Sequence, residues 1–125
     1  HENTVEELRD TLEATQWECH ETDETDLLAL SDSKALVIEV KSITDSNERK
    51  QIRKALGQVL ENGYRDVQNR GLGDRELILS IAFSETPSDQ FSGYFDFLQS
   101  RGIEVLWREE GQIKGLPEST GQILE

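Results

Sequence analysis

A three-layer α-β-α domain with a central mixed sheet is the fold this 125-residue chain predicts. Three observations lead there. Helix-like and strand-like segments interleave in the order α-β-β-β-α-β-α-β, the pattern of α/β architectures. The strand candidates between residues 26 and 41 are nearly continuous in apolar residues, as expected of a sheet covered on both faces. Two later segments repeat apolar residues at helical spacing and so supply covering layers.

The elements follow in order. Val5, Leu8 and Leu12 recur at helical spacing, and Thr4 with Glu7 matches a capping box, so a helix is expected over 4–15. Trp17 to Glu21 reads as a short strand, followed by a polar turn at Thr22-Asp23-Glu24-Thr25. Residues 26–31 and 34–41 read as two strands around an Asp32-Ser33 hairpin turn. Asp45 or Ser46 can cap a helix running to about Asn62, in which Ile52, Ala55, Leu56, Val59 and Leu60 form the apolar stripe and Gly63 the stop. Glu76 to Ser84 is a strand. Pro87 and Ser88 introduce a helix with a stripe of Phe91, Tyr94, Phe95 and Leu98, ended by Gly102. Ile103 to Trp107 is the last clear strand, and the tail from Gly111 is weakly patterned.

Composition bounds the function. The length suits one domain, residues 1–125, whole or as a piece of a longer protein. No apolar run approaches the roughly 20 residues needed to span a bilayer. A lone cysteine, Cys19, agrees with a reducing compartment, so a soluble cytoplasmic protein is expected. The net charge of −13 opposes nucleic-acid binding in dilute buffer. Five lysines against 26 acidic residues also suit a halophilic protein, since molar salt screens charge within about 3 Å. Residues 41–75 invert the balance, with 8 bases against 5 acids. Arg49, Lys50, Arg53 and Lys54 concentrate there, opposite the apolar stripe, as a candidate patch for gripping phosphates. An ordinary solvated helix face is the competing reading.

The hairpin carries the chemistry. With Asp32-Ser33 as a two-residue turn, Ser31 pairs with Lys34 and Asp26 falls opposite Glu39, with Cβ atoms about 5 Å apart. Lys41 shares that face because strand side chains alternate. Leu28, Leu30, Ala35 and Val37 wall the same face, while Leu27, Ala29, Leu36, Ile38 and Val40 point to the other layer. Two carboxylates that close repel, and burying them is costly without a partner. A divalent cation resolves the conflict, and Mg²⁺ ordinarily takes one or two carboxylates plus waters and phosphate oxygens. A solvated strand end with a simple Glu–Lys pair is the bland alternative.

The pattern Asp26…Glu39-Val40-Lys41 resembles the PD-(D/E)xK nucleases, the superfamily of archaeal Holliday-junction resolvases, Mrr-type and RecB-type nucleases and type II restriction endonucleases. Their restriction-endonuclease-like core, α-β-β-β-α-β, matches the order from residue 4 to about 107. The resemblance implies a Mg²⁺- or Mn²⁺-dependent phosphodiesterase acting on DNA, with Asp26 and Glu39 as metal ligands, the Val40 carbonyl as a further ligand and Lys41 as the motif lysine. It also implies a glutamine on the next helix, where Gln58 fits better than Gln51; some members add an acid on the first helix, which here would be Glu6, Glu7 or absent. Thr25 stands in the motif's proline position. Asn62 stands where RecB-like members carry tyrosine, and Tyr64 follows two positions late. A chain this short is expected to work as a homodimer or beside a DNA-reading domain. The alternative function is a non-catalytic module of the same fold that binds protein or nucleic acid.

Overall fold

In a computed structural model, which describes residues 2–23 and 25–125, the apolar segments settle into one six-stranded sheet with helices on both faces. His1, and Glu24 within the expected polar turn, lie outside the described residues. The elements are α1 (Glu2–Glu13), β1 (Glu18–His20), β2 (Leu27–Leu30), β3 (Lys34–Lys41), α2 (Glu48–Arg70), β4 (Glu76–Phe83), α3 (Ser92–Ser100), β5 (Ile103–Glu109), β6 (Gln112–Gly115) and α4 (Pro117–Ile123). A 3₁₀ turn over Asp89–Phe91 leads into α3. Strand order follows chain order, and β3, β4 and β5 run parallel while the flanking pairs are antiparallel, so the sheet is mixed as expected.

The Asp32-Ser33 turn sets the register. The Ser31 amide donates to the Lys34 carbonyl at 2.9 Å, and the Ser31 hydroxyl accepts the Lys34 amide at 3.1 Å. From there Leu30 pairs with Ala35, Leu28 with Val37 and Leu27 with Ile38. Period-two alternation then sends the strand side chains to two cores. Leu28, Val37, Ile81 and Phe83 pack with Ile52, Ala55 and Val59 of α2 and with Phe95 and Leu98 of α3. Leu27, Ala29, Leu36, Ile38 and Val40 pack with Leu8 and Leu12 of α1 and with Ile123 of α4. Both faces of β3 are therefore covered, which explains its near-continuous apolar sequence.

Helix α2 departs from expectation at both ends. Asn47, rather than Asp45 or Ser46, occupies its N-cap, and the helix runs through Gly63 to Arg70, where Gly71 closes it in the left-handed conformation at φ 57°. Gly63 is there for proximity: a Cβ would come within 2.6 Å of Leu79 Cδ2 on β4. The buried side continues as Gly63 and Asp66, leaving Leu60, expected in the core, 51% exposed. The tail also holds more structure than its patterning suggested. Pro117 suits the first turn of α4, and the Trp17 indole N–H donates to the Ile123 carbonyl at 2.8 Å, tying that helix to the start of the chain.

Two glycines make opposite predictions. Gly57 is an exposed α2 residue with nothing within 4 Å of a built Cβ, so Gly57→Ala stabilises the protein by about 0.5–1 kcal/mol in urea denaturation. Gly115 has the Val105 carbonyl oxygen 2.7 Å from such a Cβ, so Gly115→Ala destabilises by about 1–3 kcal/mol.

Candidate active site

Beyond the last β2–β3 pair, Leu27 with Ile38, the two chains part and polar groups gather. Thr25, buried in the position expected for proline, donates its hydroxyl to the Ile38 carbonyl at 3.3 Å. Its own amide donates to the Thr22 hydroxyl at 2.9 Å, which fixes the approach to Asp26. Asp26, just outside β2, comes beside Glu39. Its Oδ2 accepts the Val40 amide at 2.8 Å, taking the hydrogen bond that a longer β2 would have made. In an extended strand a residue's N–H and C=O project to the same edge, so the Val40 carbonyl also projects toward Asp26.

Glu39 is only 6% exposed and lies beside Asp26. Burial pushes its carboxyl up to about 7, and the Asp26 charge and a hydrogen bond with Asp26 push the same way. The Asn62 side-chain amide, which donates to Glu39 Oε2 at 3.0 Å, and the Lys41 charge oppose the rise. Asp26, Glu39 and Lys41 thus come together, as the hairpin register requires. Among the described residues no group of three or more His, Cys, Asp or Glu side chains is arranged as a metal cage. The donor set is two carboxylates and a carbonyl.

The other expected residues divide. Gln58 is exposed on α2, one turn before Asn62, and it is Asn62 that bonds the acid. Gln51 donates to the Ser42 carbonyl at 3.0 Å. Of the two first-helix candidates, Glu6 lines a cavity of about 310 Å³ together with Asp26, Glu2, Arg9 and Glu21. Glu7 points elsewhere and accepts from Arg108 Nε at 2.7 Å. Arg49, Lys50, Arg53 and Lys54 line one groove of about 500 Å³ with Ser46 at the start of α2. Asn62 and Arg9 were not singled out as site residues from sequence. The signal for Asn62 was its i+4 spacing from Gln58, which puts both on one side of α2. Cys19 is half-buried with its thiol pushed up to about 11 by burial, as suits a structural residue.

No family model matches the sequence, and no curated protein matches it. Solved structures do match the fold. An XisH family protein from Nostoc punctiforme PCC 73102 aligns with a TM-score of 0.59 at 15% identity, over 90% of this chain and 96% of that one. A FdxN element excision controlling factor protein from Anabaena variabilis aligns with a TM-score of 0.59 at 16% identity, over 91% and 97%. At such identity the likeness shows the fold alone, an α/β arrangement of a mixed six-stranded sheet with helices on both faces.

The raised Glu39 carboxyl gives a pH prediction for the metal-free protein. The folded state holds a proton that the unfolded chain releases near 4.5, so this group's stabilisation is full below 4.5 and is lost as pH rises through about 7. Urea denaturation in chelator at about pH 5 and about pH 8 should therefore show a loss of stability that Glu39→Gln flattens. A slope identical in the variant and wild type contradicts the assignment.

Proposed function

We propose that this chain is a metal-dependent nuclease that hydrolyses DNA phosphodiester bonds, endonuclease- or resolvase-like, in a repair or defence setting. The observation that carries the reading is the juxtaposition of Asp26 and Glu39, with Lys41 on the same face of β3. The residues fit a divalent cation: two adjacent carboxylates leave a charge conflict that a cation relieves, and the Val40 carbonyl projects to the same edge. Mg²⁺ or Mn²⁺ held there would lower the pKa of a bound water and stabilise charge on the phosphate.

The chain's own residues supply the rest. Asp26 and Glu39 would hold the cation, with Glu6, which lines a cavity with Asp26 though not with Glu39, as the first-helix acid. Asn62 fixes the rotation of the Glu39 carboxylate by bonding Oε2. Lys41 brings a compact positive charge that would orient the attacking water or stabilise the developing oxyanion. Arg49, Lys50, Arg53 and Lys54 would hold the DNA backbone through salt-dependent contacts that carry no sequence information. A second copy of the chain or an adjoining DNA-reading domain would add the recognition that so small a surface lacks. No helix among the described residues is long and apolar enough to cross a membrane, and the cytoplasm is the proposed location.

One fold neighbour bears the name of a FdxN element excision controlling factor, and a name that speaks of excising an element accords with the proposed role on DNA. The same name favours a second reading, a non-catalytic interaction module, because a controlling factor need not cut DNA itself. Plasmid cleavage with Mg²⁺ or Mn²⁺, in low and high KCl, separates the two. The nuclease reading expects nicking by wild type and a loss of at least roughly a hundredfold in Glu39→Ala and Lys41→Ala. Equal cleavage by Glu39→Ala overturns it. Absence of cleavage in every salt, with no heat of Mn²⁺ binding, selects the interaction module.

A further inference from the structure

The apolar stripe of α3 is incomplete. Phe91, Phe95 and Leu98 are buried as the periodicity predicts, but Tyr94 is 37% exposed. With Phe91 it lines a cavity of about 240 Å³ between α3 and α2, whose other walls are Arg49, Ile52 and Arg53. Arg49 and Arg53 also line the larger basic groove, so pocket and groove adjoin at those two side chains. The Arg49 guanidinium sits 5.9 Å from the Phe91 ring centroid, a cation–π contact that holds it at the pocket rim. Among the described residues no carboxylate lines either cavity, in a protein with 26 acidic residues. A packing crevice would bury its aromatic wall and would not gather cations. An exposed aromatic ring next to two guanidiniums suits a planar base joined to a phosphate.

We propose that this pocket is a subsite for one unpaired nucleotide of a single-stranded nucleic acid, its base stacked on Tyr94 and its phosphate held by Arg49 and Arg53. The flanking backbone continues along the groove to Lys50 and Lys54. A paired base is confined within its stack and cannot enter a pocket of this kind, so the subsite distinguishes unpaired strands from duplex. The inference rests on the nucleic-acid reading above and names its substrate class, but it does not depend on cleavage.

Binding of labelled single-stranded and duplex oligonucleotides of equal length, followed by fluorescence anisotropy in chelator at low salt, tests it. Wild type should bind the single strand. Tyr94→Ala should weaken that binding by roughly tenfold and leave duplex binding unchanged, while Tyr94→Phe retains affinity. Arg49→Ala and Arg53→Ala should weaken both ligands and flatten the salt dependence. Wild-type binding to duplex alone, or Tyr94→Ala losing both ligands equally or neither, overturns the subsite and leaves the nucleic-acid reading standing. Wild type binding neither ligand overturns both.

Discussion

Repulsion between two carboxylates grows as water is withdrawn, and this fold withdraws it on purpose. Leu28, Val37, Ile81 and Phe83 fill the layer beneath Glu39, and α2 closes over it. Glu39 could have been relieved by an arginine in register, but its neighbour across the hairpin is Asp26. What the molecule offers instead is one amide from Asn62, the charge of Lys41 and a proton held near neutrality. Those groups lessen the conflict without removing it. Under the proposed function, a cation between the acids would remove it.

The surrounding architecture serves the same end. Both faces of β3 are covered, so the strand offers chemistry only where β2 ends and its edge opens. The Asp32-Ser33 turn fixes the register at one end of the hairpin, and Asp26 closes the other by taking the Val40 amide. α2 links the site to the basic surface: Asn62 touches Glu39, while Arg49 and Arg53 lie about two and a half turns or more toward its start. Glu48, in the first turn, accepts from the amide and hydroxyl of Ser88 and anchors that end of α2 near the 3₁₀ turn before α3.

Much of this was legible in the sequence because it depends on short-range rules. A two-residue turn and period-two alternation were enough to place Asp26 opposite Glu39 and to sort the apolar residues of β2 and β3 into two cores. The misreadings share one cause, which is that local signals are ambiguous where packing decides. Gly63 looked like a helix terminator, but it serves the close approach of Leu79. Tyr94 belonged to an apolar stripe by spacing, yet it sits at the margin of that stripe and faces the pocket. Which α2 side chain meets Glu39 depends on the helix's rotation and length, so Gln58 and Asn62 could not be separated in advance. β6 and α4 are four and seven residues long, too short to show periodicity.

Carbon-detected NMR titration of the side-chain carboxyls, with and without Mg²⁺, tests the shared site most directly. The account predicts that Glu39 titrates near 7 without metal, falls toward the ordinary range in Asp26→Asn, and falls again in wild type when Mg²⁺ is added. A Glu39 carboxyl that titrates in the ordinary range and ignores both the Asp26 substitution and Mg²⁺ would contradict it.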